Sequence, residues 1–215
     1  MPGAVLLDGF SGSAIDSRLQ WHCTPRRWHV ADSQLVVEPD GQTDFWQRTH
    51  YGFEADNGHF LYFEHAGDIE IATRVRFFPA HQYDQAGLMV RFSPRSWIKA
   101  SVEYEPEGPS RLGAVVTSDG YSDWSTQDRP PGLDAVGLRI RREGDTFLVY
   151  CSSDEAPDRP PSRWTQIRMA RLGNPGRGPL QCGIYACSPK GEGFKAAFAW
   201  LRATDRGWDH GTERP

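Results

Sequence analysis

The chain has no apolar run long enough to cross a bilayer, no Lys/Arg-rich segment and no sustained helical period. Membrane spans and helix bundles are therefore not expected, and a net charge of −4 gives nucleic acid and anionic membranes no basic surface to bind. Cysteine is scarce: Cys23, Cys151, Cys182 and Cys187 lie far apart except for the last pair, in neither zinc-ligand nor redox spacing. Free thiols are expected, although an even count leaves a disulfide open. The opening MPGAVLLDGF lacks a basic n-region and carries only a short apolar run, so a cytoplasmic protein without a secretory leader is expected.

What the chain does hold is aromatic rings and turn formers: 8 Trp, 7 Tyr and 11 Phe beside 22 Gly and 16 Pro. Its most ordered stretch is YDQAGLMVRFSPRSWIKASVE, from Tyr83 to Glu103. Ala86, Leu88, Val90 and Phe92, then Ile98, Ala100 and Val102, alternate on either side of the turn formers Ser93, Pro94, Arg95 and Ser96, which predicts a half-buried antiparallel hairpin. Its other face carries Gln85, Met89 and Arg91 on one strand and Trp97, Lys99, Ser101 and Glu103 on the next. Long hydrogen-bonding side chains beside an aromatic ring suit a polar ligand.

Strands are also expected at 4–7, around Trp21–Val37, and at 60–64, 69–77, 111–117, 135–141, 146–152, 164–172, 180–187 and 194–203. Residues 43–52 read as a strand or bulged loop beside a groove, and 118–125 as a loop. Turns are expected at 143–145, 156–161 and 174–178, and a polar tail at 205–215. Short strands at this spacing imply one antiparallel two-sheet domain over 1–204.

Five ordered motifs then carry a resemblance: Thr43-Asp44-Phe45-Trp46 with Arg48-Thr49-His50-Tyr51-Gly52, Tyr83-Asp84-Gln85-Ala86-Gly87-Leu88, Trp97-Ile98-Lys99, Val116-Thr117 with Ser122-Asp123-Trp124, and Cys187-Ser188-Pro189. Together they resemble the DUF1349 family across roughly residues 4–203. The resemblance implies an all-β, concanavalin A-like antiparallel sandwich, a jelly roll with a concave ligand-binding face. That architecture serves lectins, carbohydrate-binding modules, glucanases and lyases alike, so it selects no single activity.

On such a face Gln85, Met89 and Arg91 would share a lining with Lys99, Ser101, Glu103, Val115, Thr117, Tyr185 and Cys187, with Trp46, His50, Tyr51, Asp123 and Trp124 on the rim. The expected ligand is a carbohydrate or similar polar small molecule, held by hydrogen-bonding groups in the ring plane and aromatics above it. Each residue has a plainer reading. Arg91, Lys99 and Glu103 can form a cross-strand ion-pair ladder, Trp97 and Trp124 can be core aromatics, Tyr185 a satisfied strand residue, and His50 and His59 hydrogen-bonded structural histidines.

An enzyme acting on a glycoside or related metabolite is the alternative, with Glu103, Lys99 and Asp84 as catalytic candidates and Asp123 or His50 as a second acid or base. Glycoside hydrolysis needs two carboxyl groups about 5 Å apart or more. The E-x-D-x-x-E pattern of retaining glucanases is absent, and a Lys99 beside Glu103 is expected to lower the pKa of that carboxyl. A desolvated Lys99 would serve lyase or isomerase chemistry as a base. A third expectation is a protein-binding regulator that uses the aromatic rim. No cofactor is expected; Asp8 and Asp205 are the only pointers to a structural Ca²⁺.

Overall fold

The computed structural model describes residues 4–129, 134–153, 161–173 and 178–205. The expected tail beyond Asp205 and most of the turns at 156–161 and 174–178 lie outside the described residues. In chain order the strands are β1 (Ala4–Asp8), β2 (Gln20–His22), β3 (Arg27–Ala31), β4 (Gln34–Glu38), β5 (Phe45–Gln47) and β6 (Glu54–Asp56). They continue with β7 (His59–His65), β8 (Ile69–Phe78), β9 (Gln85–Ser93), β10 (Ser96–Glu103), β11 (Arg111–Ser118) and β12 (Tyr121–Asp128). The last five are β13 (Ala135–Glu143), β14 (Thr146–Ser152), β15 (Thr165–Arg171), β16 (Leu180–Cys187) and β17 (Lys195–Thr204).

Two antiparallel sheets face each other, as the resemblance implies. Sheet A runs β15-β14-β13-β8-β17-β4-β3 with β1 beside β17; sheet B runs β12-β11-β10-β9-β16-β7-β2. The strictly alternating apolar residues meet between them: Leu88, Val90, Ile98 and Ala100 from sheet B pack with Ile71, Val75, Leu138, Phe147 and Phe198 from sheet A. The expected loop at 118–125 is instead a tight turn at Asp119 (φ 55°) and Gly120 (φ 80°), followed by β12. Positive φ at both central residues is what a two-residue hairpin turn requires.

The β9–β10 hairpin departs from its expected half-burial. Every residue from Gln85 to Arg91 and from Ser96 to Val102 is buried on both faces. The cause is the small β5–β6 hairpin, which lies across the outer face of sheet B. Phe45, fully buried, packs there with Trp46, Phe60, Met89, Trp97, Val115, Tyr185 and Cys187. The segment expected beside a groove therefore fills the groove.

Gly58 makes that filling possible, since a Cβ there would sit 2.4 Å from the Phe45 ring and 2.5 Å from Cys187 Sγ. Gly87 serves the sheet itself, where a Cβ would sit 1.9 Å from the Ala100 carbonyl oxygen of the neighbouring strand. Neither approach is sterically possible with a side chain.

Candidate functional site

Under the β5–β6 hairpin, alternation and register place Gln85 beside Glu103 and beside Cys187, and Met89 beside Lys99. A connected polar network results. Lys99 Nζ donates to Phe45 O at 2.7 Å and Gln85 Oε1 at 2.9 Å, and lies 3.4 Å from Asp44 Oδ1. Tyr185 Oη donates to the same Gln85 oxygen at 3.1 Å, and Gln85 Nε2 donates to Glu103 Oε2 at 3.0 Å. Gln85 thus has one possible amide orientation, and it hands Glu103 a fixed hydrogen bond.

Glu103 is the half-buried end of this network. Burial raises its pKa; Lys99 pulls it back, and Asp44 and Glu105 push it further up, to about 7. The lowered value expected from Lys99 alone is thus corrected. Desolvation outweighs one cation whose hydrogens already point at three other oxygens.

Beside Glu103 stands Tyr83, whose φ of 72° is unusual for a bulky residue. Its backbone is pinned by Tyr83 N donating to Tyr104 O at 2.8 Å and Tyr104 N donating to Asp84 O at 2.9 Å. Burial together with Glu105, Tyr51 and Glu103 holds its phenol above the usual tyrosine pKa. Across from it the 48–53 loop also carries positive φ at Arg48 (57°) and His50 (63°), and its Tyr51 is 58% exposed. A positive φ at a bulky residue next to a partly buried carboxyl is a pattern found at ligand sites. The candidate site is the Glu103 end of sheet B, where Tyr83 stands within electrostatic reach of Tyr51, Glu103 and Glu105, and Glu103 within reach of Asp44 and Glu105.

The remaining expected residues are placed as follows. Trp46 is buried, its Nε1 donating to Thr49 O, and its ring meets Tyr51 edge-on at 5.4 Å. His50 is exposed and stands against Tyr51 at 4.8 Å. Arg91 sits under β6, donating to Asp56 Oδ2 at 2.6 Å and Gln181 Oε1 at 3.2 Å. Thr117 is fully buried, its hydroxyl 2.7 Å from Ser122 Oγ, which in turn accepts the Gln47 amide at 2.9 Å. Tyr185 and Trp97 are buried, and so present no ring face to solvent; Trp124 is half-buried against the same cluster.

Two expected residues point elsewhere altogether. Asp123 alternates to the other side of β12 and accepts from Arg168 of β15 at 2.7 Å, so it leaves the rim. Asp84 is buried, with Oδ2 accepting the Ala80 and His81 amides at 2.7 Å each and Oδ1 accepting the Ser188 hydroxyl at 2.5 Å. Its oxygens hold a loop, which removes it from the catalytic candidates. Lys99, with three acceptors around one buried ammonium, is likewise a positioning group rather than an available base.

His59 is the hydrogen-bonded histidine expected of it: Nε2 accepts the Asp40 amide at 3.0 Å and Nδ1 faces Cys23 O at 2.5 Å, and burial lowers its pKa. All four cysteines are free, and burial pushes the Cys187 thiol well up, away from thiolate chemistry. Asp8 and Asp205 are not brought together. Asp8 Oδ1 and Oδ2 accept the Phe10 and Asp16 amides, while Asp205 faces His65 at 3.2 Å. Among the described residues no group of three or more His, Cys, Asp or Glu could hold a metal ion. Nor does any helix there have the length and apolarity to cross a membrane.

Residues 21–206 match the model of a protein family of unknown function, DUF1349. The chain belongs to the DUF1349 family. A curated relative of this DUF1349 protein is "Regulation of enolase protein 1" of Saccharomyces cerevisiae, 33% identical over 179 residues that cover 83% of this chain and 85% of the yeast protein. A solved structure of a functionally unknown protein from S. cerevisiae superposes with a TM-score of 0.78 at 32% identity, covering 89% of this chain and 98% of that one. A xylan beta-1,4-xylosidase from Bacillus halodurans C-125 shares the fold, with a TM-score of 0.73 at 14% identity; the match spans 93% of this chain but 39% of the xylosidase.

Proposed function

We propose that this protein binds a neutral carbohydrate or polyol at the Glu103 end of sheet B, between Tyr51 and Tyr83, with Glu103 as its main hydrogen-bonding group. The observation that supports this most is the fixed hydrogen-bond chain from Lys99 and Tyr185 through Gln85 to a half-buried Glu103, with the Tyr83 phenol nearby. A sugar presents hydroxyls at its edge and C–H groups on its faces, and a carboxyl between aromatic rings answers both. The three carboxyl groups of Glu103, Glu105 and Asp44 outnumber the two lysines near them, Lys99 and Lys190, whose ammonium lies 5.4 Å from the Tyr83 ring centre, so the site disfavours sugar phosphates. The four free thiols suit the reducing cytoplasm, where we place the protein.

The test is a melting-temperature panel of xylotriose, cellotriose, laminaritriose, sorbitol and glucose 6-phosphate, because a ligand of the native state raises the melting point by mass action. Xylotriose enters because xylan is named for the B. halodurans relative. At least one neutral compound should raise the melting temperature and glucose 6-phosphate should not. A response to the phosphate alone would refute the proposal. No response at all would turn attention to a protein partner, for which the exposed Phe53, 6.1 Å from Tyr51, and Tyr121, under the Arg48 guanidinium, offer apolar contact.

One observation favours a second reading. A carboxyl with a pKa near 7 is suited to general acid catalysis at neutral pH, and Asp44 and Glu105 are neighbouring carboxylates. In that reading turnover of an aryl glycoside would vanish in Glu103→Gln while binding survived.

A further inference from the structure

The outer face of sheet A holds a separate cleft. Glu70 and Ala72 of β8, Arg139 of β13, Arg202 and Thr204 of β17, and Trp164 line a cavity of ≈ 180 Å³, with Pro161 at its edge. An apolar cavity of about 150 Å³ accepts a benzene ring, so this one has room for a ligand of one ring. Ala72 is paired with Arg202 on one side and with Arg139 on the other, so a single methyl floors the gap between two arginines about 10 Å apart along the sheet.

The arginines differ in a useful way. Arg139 is buried and held flat between the Tyr150 ring at 4.1 Å and the Trp164 ring at 4.8 Å. Its Nε has no hydrogen-bond partner, and Glu70 Oε2 is 3.7 Å from its Nη1, beyond hydrogen-bond length. Arg202 is exposed and has neither an acidic nor a hydrogen-bond partner among the described residues. Among the described residues that line the cleft, two guanidinium groups and one carboxylate leave one net positive charge.

We propose that this cleft binds a small monocarboxylate with a flat apolar body, its carboxylate bridging Arg139 and Arg202 over Ala72 and its body lying against the Trp164 indole. Guanidinium forks match a carboxylate in geometry and charge. A phosphate dianion would overcompensate the single net charge and meet Glu70. A neutral sugar would leave Arg202 without a counter-charge, since Glu70 faces Arg139 alone.

Benzoate is the probe, titrated calorimetrically into the full-length protein, with benzyl alcohol and inorganic phosphate as comparators. Benzoate should bind saturably at one site, benzyl alcohol should not bind, and phosphate should bind more weakly. Arg202→Gln, at an exposed position, and Ala72→Leu, which fills the floor, should each weaken benzoate at least tenfold, and Arg202→Gln should leave the melting temperature unchanged. Absence of saturable benzoate binding, equal affinity in Arg202→Gln, or tighter binding of phosphate would each overturn the proposal.

Discussion

Lys99 Nζ donates to the carbonyl oxygen of Phe45, 54 residues earlier in the chain, at 2.7 Å, with the lysine side chain only 4% exposed. This contact ties the covering hairpin to the middle of sheet B. Removing the ammonium leaves Phe45 O and Gln85 Oε1 short of a donor and Asp44 without its cation. Lys99→Met is therefore expected to lower unfolding free energy by about 2–4 kcal/mol. Urea denaturation checks it; an unchanged midpoint would mean that the hairpin is not held this way.

Asp84 makes a parallel case. With both carboxylate oxygens committed to the Ala80 and His81 amides and the Ser188 hydroxyl, Asp84→Ala should cost about 2–4 kcal/mol, because buried donors lose their acceptor. Thermal melts of the variant read this directly. Full stability would show that the carboxyl was not structural and return it to the catalytic candidates.

Glu103 gives a pH signature. Its folded pKa, about 7, lies above the unfolded carboxyl value of 4.5, so between those values the folded state binds more protons than the unfolded chain. Stability from this group is complete below pH 4.5 and is lost as pH rises through 7, by at most about 3 kcal/mol, and less to the extent that solvent reaches the half-buried carboxyl. Glu103→Gln, which keeps an acceptor for Gln85, should melt higher than the parent at pH 8 and match it near pH 4.5. An equal difference at both pH values would contradict the raised pKa.

Much of this was legible in the residues. The alternation of Ala86, Leu88 and Val90 with Ile98, Ala100 and Val102 placed the inter-sheet core, and the same alternation put Gln85, Lys99, Glu103 and Tyr185 on one face. What alternation cannot tell is whether that face meets water or another segment. Lys99 and Arg91 look alike in either case, and the covering contacts, Lys99 to Asp44 and Arg91 to Asp56, join residues 55 and 35 apart. Strand β12 was missed because SDWSTQD lacks apolar alternation, as an edge strand with one partner permits. Asp44 lies in the 43–52 segment expected beside a groove and Glu105 shares a face with Glu103, whereas nothing in the sequence points to the Tyr83 ring as part of the site. The Tyr83-Asp84-Gln85 motif marks its segment, but a positive φ at tyrosine leaves no mark on the sequence.

Binding at the Glu103 end of sheet B, as proposed, differs from binding beneath the β5–β6 hairpin in the side chains it depends on. Its most direct test is calorimetric titration of xylotriose, or whichever neutral compound of the panel raises the melting temperature most, into the parent protein, Tyr51→Ala and Arg91→Gln. The exposed Tyr51 should contribute affinity without stability, so Tyr51→Ala should bind at least tenfold more weakly with an unchanged melting temperature. Arg91→Gln, which breaks the contact with Asp56, should melt lower yet bind as tightly as the parent. Affinity retained in Tyr51→Ala and lost in Arg91→Gln would place the ligand on the covered face and contradict the account.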